Sequence, residues 1–544
     1  MRTASPRLAA GSLLAGAGLI AAATLAARAA GLGRWFVFSH SVGATCIGQV
    51  YATTNVVPNV LFEVAAGGAL AAVVVPLVAG HLHRGDEQAA DRTASALLTW
   101  AVALLLPIAV LVALLAEPVA GALLGAASCE QPSATATGAL MLALFAPQVV
   151  LYGIGIVLSG VLQAHRRFLA AAMAPLLSSL VAIATYLAYG RMVAPGTPLG
   201  IAPRDAIVLL AGGTTLGVVA LSLPLLVPAW RTGVRLRPTV RFPAGTGRRA
   251  GTLAAAGLLA VGAQQVCVLA TAWLSNRADG TAAMPVYTYV QTVYLLPYAV
   301  LVIPLATAAF PRLADPEHGA RTLARTASAV LVAAVGAAVA LVAVRREVGA
   351  LFLALDAGSA GEGRAALESL PMALAAYAPG VAGFGLAALF TRALYVRGAP
   401  LRAALAVAGG WAVATLLPLV LLLSGGPATV GRTLVVLGLG SAAGMTITAL
   451  AQLRQVRRAW GSGVLDGLGR VGVAAGVGAL LVLGVREAMA PWWHPEGALP
   501  AVLAGGLTGL LVLTAVLMAV RMVAPATYGD LLGGIGRRGG TLRR

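Results

Sequence analysis

Long apolar runs follow one another through this chain, separated by short stretches rich in arginine, glycine and proline. An α-helix needs about 20 apolar residues to cross a hydrocarbon core, and most of the runs reach that length. Cutting the chain at its polar stretches predicts helices at 8–40, 48–80, 93–116, 136–163, 168–190, 206–230, 250–275, 284–311, 326–344, 370–396, 401–423, 431–453, 470–489 and 500–523. The expected fold class is therefore an all-α polytopic membrane protein of about fourteen transmembrane helices.

Composition agrees with the pattern. Of the 544 residues, 59% are hydrophobic and 10% charged, against about 25% charged in soluble domains. Every basic residue is an arginine, and 66 glycines and 29 prolines allow helices to pack closely and to break. A net charge of +19 could suit nucleic acid, but the arginines lie in short loops between apolar runs. A positive-inside bias facing anionic headgroups explains them better, so membrane lipids are expected partners and nucleic acid is not.

With the N-terminus inside, the even-numbered connections and both tails hold 27 of the 37 arginines. The predicted outer loops hold eight, Arg191, Arg204, Arg277, Arg345, Arg346, Arg364, Arg432 and Arg486. This alternation predicts a multi-pass protein of the bacterial plasma membrane with both termini cytoplasmic. The apolar run after the basic start is longer than a signal-peptide core and is read as a retained helix. Cys46 and Cys129 both fall on the predicted outer face, where two unrelated small residues are favoured over a disulfide. Three cysteines are too few for a disulfide framework or a metal site.

The chain also repeats itself. RTASA occurs at 92–96 and again at 325–329, and Tyr152-Gly153 parallels Phe384-Gly385 at nearly the same offset. The offset spans six helices, so both copies enter the membrane in the same sense, as in parallel-repeat transporters. The expected organisation is a six-helix lobe at 1–230, a basic cytoplasmic connector at 231–249 and a second six-helix lobe at 250–456. Two extra helices at 457–523 and a basic cytoplasmic tail at 524–544 complete it.

Two such lobes usually enclose a central cavity with alternating access, and polar residues within the spans suggest what lines it. The first span carries Arg28 and Arg34, and the second carries Gln49, Asn55, Asn59 and Glu63. The seventh carries Gln265, and the eighth carries Gln291 and Thr292. An ionisable residue at membrane depth is costly and marks a functional site by default. Arginine offers a planar fork suited to phosphate, and broken helix backbone beside it can turn free N–H groups toward an anion. The competing assignment pairs Arg28 with Glu63 and lets Arg34 extend toward the interface. No catalytic triad, metal cluster or phosphate loop stands out, so neither an enzyme nor a cofactor is expected.

RAAGLGR at 28–34, followed by VPNVLFEVAAGGALAAVVVPLVAG at 57–80, resembles the MurJ (MviN) lipid II flippases of the multidrug/oligosaccharidyl-lipid/polysaccharide exporter superfamily. The resemblance implies export of a polyprenyl-pyrophosphate-linked peptidoglycan precursor, lipid II, from the inner to the outer leaflet during cell-wall synthesis. It places Arg28 and Arg34 where the family has its first two essential arginines. Elsewhere the chain departs from the family, with Gln49 for an aspartate, Phe62 for an arginine, Ala66 for an acid, Gln291 for an acid and Thr292 for an arginine. The implied partners are a lipid-linked precursor and cell-wall synthesis proteins. Two alternatives remain open, an exporter of another glycolipid or a drug, and a non-transporting membrane scaffold.

Overall fold

The computed structural model describes residues 6–64, 71–125, 129, 133–243, 246–426, 428–489, 497–523 and 525. Ala66, Gly67 and Gly68 of the motif, and almost all of the tail 524–544, lie outside the described residues. Helices are the regular elements throughout, with one isolated bridge between Asp279 and Thr429.

The chain forms two compact units, residues 1–276 and 277–544. The first holds α1 (Pro6–Ser41), α2 (Cys46–Thr54), α3 (Val56–Glu63), α4 (Ala71–His83), α5 (Glu87–Leu114) and α6 (Ala116–Leu124). It continues with α7 (Ser133–Phe145), α8 (Pro147–Ala164), α9 (Phe168–Met192), α10 (Arg204–Ser222), α11 (Leu226–Trp230) and α12 (Thr246–Ser275). Although α12 follows the basic connector, it packs against α3, α4 and α6 and belongs to this first unit.

The second unit begins with α13 (Ala283–Pro297), which runs through a π-helical turn, Tyr298–Val302, into α14 (Ile303–Leu313). Then come α15 (Gly319–Ala343), α16 (Arg345–Leu355), α17 (Arg364–Tyr377), α18 (Gly380–Val396), α19 (Pro400–Leu423) and α20 (Val430–Trp460). The last two, α21 (Leu468–Met489) and α22 (Ala498–Val523), pack on α15, and α22 also packs on α16.

Among the described residues, eleven helical segments are long and apolar enough to cross a membrane. A twelfth arises if α17 and α18, bent by 45°, count as one span. The predicted spans 8–40 and 48–80 fall on α1 and on the broken series α2–α4, so the length-and-composition count among the described residues, eleven to twelve, does not confirm fourteen. Local chemistry explains the breaks. The Thr45 hydroxyl caps α2 by accepting the Gly48 N–H at 3.1 Å, and Asn55 separates α2 from α3 just ahead of Pro58. Pro147 sits at the start of α8, where its missing N–H costs nothing.

The sequence repeat is carried into matching contacts inside each unit. Phe62 stacks on Tyr152 with ring centroids 4.3 Å apart, and Tyr298 stacks on Phe384 at 4.2 Å. Tyr51 meets Phe145 at 5.8 Å, and Tyr287 meets Tyr377 at 6.4 Å. In each case the two partners recur at offsets of 236 and 232 residues. Gly153 lies against Ala101, and its counterpart Gly385 against Ala334, so α8 approaches α5 as α18 approaches α15. Close approach is most severe where α19 crosses α20. A Cβ on Gly444 would collide with the Gly410 carbonyl, and one on Gly410 with the Thr448 hydroxyl.

Cys46 and Cys129 are joined in a disulfide, which corrects the expectation of two unrelated small residues. The pairing depends on tertiary packing. The Thr45 cap starts α2 at Cys46, and α2 lies against α6 and α7, whose connection carries Cys129. The two Cα atoms are 5.7 Å apart across 83 residues of sequence.

Charge pairs, one of them buried, tie α21 to α16. Glu347 is almost fully buried and accepts a hydrogen bond from Arg486, whose side chain is only 11% exposed. Arg345 and Arg346 both donate to Glu487, the latter at 2.9 Å. Four of the eight arginines predicted for outer loops are thus paired with carboxylates, since Arg364 also bonds Glu368 at 2.8 Å.

Two stability predictions follow from this packing. Glu347→Ala strands Arg486 in a buried site and should cost about 3–5 kcal/mol, read as a lower unfolding midpoint in detergent. Replacing both Cys46 and Cys129 by serine removes an 83-residue loop constraint and should cost about 4 kcal/mol. Unchanged gel mobility of the parent chain with and without reductant would contradict the disulfide.

Candidate functional site

Arg28 and Arg34 lie on α1, Arg28 exposed and Arg34 half-buried. The spacing of six residues places them on different faces of the helix, since 3.6 residues make one turn. The Arg34 Nε is buried and has no hydrogen-bond partner among the described residues. Neither arginine pairs with Glu63 there, and Glu63 itself is exposed at the end of α3. A guanidinium donor left open in this way is costly to bury, and it is ready to bind an anion.

Tyr152 on α8 organises the surroundings of Arg34. Its hydroxyl donates to the Asn59 Oδ1 at 3.3 Å, and its ring carries Phe62 at 4.3 Å. Arg34 and Glu63 both lie within electrostatic reach of it. Asn59 is held in turn by its amide, which donates to the Asn55 carbonyl at 2.8 Å. That carbonyl stands at the α2–α3 break, where the helical ladder is interrupted. Asn55 also buries an Oδ1 with no hydrogen-bond partner among the described residues. Asn55, Asn59 and Tyr152 therefore share one neighbourhood where α3 meets α8, with Arg34 and Glu63 within electrostatic reach of it.

Gln49 sits elsewhere, deep inside α2. Its side-chain amide donates to Asn276 Oδ1 at 2.6 Å, and the Asn276 amide donates to Thr53 Oγ1 at 2.9 Å and to the Ala272 carbonyl at 2.7 Å. This buried knot fastens the end of α12 to α2. Gln265 is buried about three helical turns earlier on α12. Gln291 and Thr292 belong to the second unit, half-buried on α13, where the Thr292 hydroxyl donates to the Thr288 carbonyl at 2.8 Å. Seven of the nine predicted site residues thus lie in the first unit, and two in the second.

Tyr152 and Asn276 were not singled out from the sequence as site residues. The Tyr152–Phe384 correspondence in the repeat was the signal pointing at Tyr152. Asn276 follows the predicted seventh span, and nothing in its neighbours marks it. The remaining tyrosines of α13 pack on rings, Tyr289 on Phe352 at 4.6 Å and Tyr294 on Tyr377 at 5.5 Å. Among the described residues no three His, Cys, Asp or Glu side chains gather as a metal set. What the neighbourhood offers chemically is an open cation beside amides and an aromatic ledge.

Asn276→Leu should break the knot by removing the acceptor of the Gln49 amide and the donor to Thr53, costing about 1–3 kcal/mol. The measurement is the unfolding midpoint in detergent, with Asn276→Gln as the partial-rescue control.

Comparison with known proteins places this geometry in a family. A sequence model described as "Lipid II flippase MurJ" matches residues 38–504, starting just after Arg28 and Arg34. A probable lipid II flippase MurJ of Rhizobium meliloti (strain 1021) is 24% identical over 307 residues. That alignment covers 55% of this chain and 54% of the relative, so it spans about half the length of each. Among solved structures, a lipid II flippase MurJ in an inward closed conformation superposes with a TM-score of 0.72 at 16% identity, covering 94% of this chain and 99% of that one. An inward-facing multidrug resistance MATE family transporter of the MOP superfamily superposes with a TM-score of 0.62 at 14% identity, covering 79% of this chain and 94% of that one. Both structural likenesses concern the fold. With most of its length matched by the family's sequence model, this chain belongs to the MurJ lipid II flippase family.

Proposed function

We propose that this chain is a flippase that moves a polyprenyl-pyrophosphate-linked cell-wall precursor, lipid II by default, from the inner to the outer leaflet by alternating access. The observation that carries the reading is Arg34 on α1, a half-buried cation whose Nε has no hydrogen-bond partner among the described residues. In this reading Arg28 and Arg34 hold the pyrophosphate. Asn55 and Asn59 contact the sugar–peptide part from the α2–α3 break, beside Glu63. The lipid tail stays in the bilayer while the headgroup crosses. The chain is a transporter rather than an enzyme, driven by the membrane potential or an ion gradient.

The proposed location is the bacterial plasma membrane with both termini cytoplasmic. The loop arginines support it, as does the pairing of Arg345, Arg346, Arg364 and Arg486 with carboxylates on the face predicted to be outside. A disulfide at Cys46–Cys129 suits that same oxidising side. Cell-wall synthesis proteins are the proposed protein partners.

A second reading, export of another glycolipid, is favoured by one observation. Phe62 fills a position where the family carries an arginine, and it is stacked on Tyr152. An aromatic ledge suits a sugar face better than a second phosphate charge.

Complementation separates the readings. Expressing the chain in cells depleted of their own lipid II flippase should restore growth. Arg34→Ala should abolish rescue, because a charged hydrogen bond is worth about 1.5–3 kcal/mol, on the order of 10- to 100-fold in affinity. Failure of the parent chain to rescue removes lipid II as the substrate, and full rescue by the Arg28→Ala, Arg34→Ala double variant removes the pyrophosphate seat.

A further inference from the structure

The segment after α11 is not a free linker. Residues 235–240 run extended along the first half of α5, pinned by side chains one helical turn apart. The Arg235 N–H donates to Asp91 Oδ2 at 3.2 Å, the Arg237 N–H to Ser95 Oγ at 3.0 Å, and the Thr239 N–H to Thr99 Oγ1 at 3.0 Å. Ser95 returns a hydrogen bond to the Arg235 carbonyl, and Trp100 Nε1 donates to the Val240 carbonyl at 3.1 Å. The periods match. Two residues of extended chain rise about 6.6 Å, and four residues of helix rise about 6.0 Å.

Alternation then sorts the side chains. Over 234–237 Val234 and Leu236 turn inward onto the core formed by α4, α5 and α8, Phe242 rejoins that core further on, and Pro238 and Val240 between them are exposed. Arg235, Arg237 and Arg241 fall on the opposite side and are exposed, with Arg231 just before them. None of these four is in an ion pair among the described residues, unlike the carboxylate-paired arginines of α16, α17 and α21.

Their depth is set by α5. The helix has 28 residues, about 42 Å at 1.5 Å per residue, and so extends past a hydrocarbon core of about 30 Å. Its later half exposes Leu104, Leu106, Val110, Leu111 and Leu114, a lipid-facing stripe. The polar stripe Asp91, Ser95 and Thr99 lies in the half of α5 away from those leucines, running from the end that extends past the core toward the core's edge. Trp100 and Trp230, 40% and 79% exposed, bracket the strap as interfacial tryptophans do.

We propose that this strap is a docking ledge for anionic phospholipid headgroups of the leaflet it lies against, with Arg235, Arg237 and Arg241 as the phosphate contacts. Backbone pinning holds the three arginines in a fixed row along the first half of α5, which an unpinned basic loop would not do. The occupant is lipid because the ledge carries exposed arginines without ion pairs among the described residues, beside exposed Trp100 and Trp230, at the end of α5 that reaches past the core.

The test is retention of phosphatidylglycerol and of phosphatidylcholine by the detergent-purified full chain, counted by native mass spectrometry. The parent chain should retain phosphatidylglycerol preferentially. R235Q/R237Q/R241Q should retain it about tenfold more weakly, since each arginine at an anionic surface contributes measurably. The matching lysine triple should keep most of the binding. R454Q/R457Q/R458Q, which removes equal charge from the exposed end of α20, should change it less than about twofold. Equal loss in both glutamine triples, no loss in the first, equal retention of the two lipids, or full competition by inorganic phosphate would each overturn the proposal. An acidic protein as the true occupant would show as no loss in the first triple. Unfolding midpoints identical to the parent check that the strap remains pinned.

Discussion

A charge surrounded by hydrocarbon must find a partner, reach water or be neutralised, and that constraint arranges this molecule. With 37 basic against 18 acidic side chains, most arginines cannot have a carboxylate of their own. The strap arginines are exposed beyond the apolar stripe of α5, while Glu347, Glu487 and Glu368 are used on Arg486, Arg345, Arg346 and Arg364. Arg34 falls into none of these classes. It is half-buried, lies over the Trp35 ring, and has no carboxylate partner among the described residues and a buried Nε without a hydrogen bond, and for that reason it is the centre of the proposed site.

The same low dielectric governs the backbone. Peptide groups freed at the α2–α3 break need partners, and Asn59 supplies one by donating its amide to the Asn55 carbonyl. Asn276 does comparable work at the end of α12, joining it to Thr53 and Gln49. These polar knots are few, and close helix approach does the rest. Where α19 crosses α20, Gly410 and Gly444 bring the backbones so near that no side chain fits.

The recurrence of Phe62–Tyr152 as Tyr298–Phe384, and of Tyr51–Phe145 as Tyr287–Tyr377, gives the duplication a physical meaning. Each unit packs the same ring pairs at the same helix crossings, so duplication preserved contacts and not merely hydropathy. Residue identity at these contacts drifted within the aromatic class, which conserves area and shape. Polar positions drifted much further.

Apolar run length, loop arginines and the internal offset were enough to read the helical class, the segment order and the repeat, because hydropathy and periodicity are local properties of the chain. Arg28, Arg34, Asn59 and Glu63 were also legible, since a polar residue inside an apolar run stands out without any structure. Partnership was not legible. Whether Cys46 finds Cys129, whether Gln49 faces a ligand or Asn276, and whether Arg34 finds Glu63 depend on which faces meet across tens of residues of sequence. The same is true of residues 235–239, which read as a basic linker until the spacing of Asp91, Ser95 and Thr99 along α5 gave their N–H groups acceptors. Pairing of that kind is decided by helix packing, and only the tertiary structure supplies it.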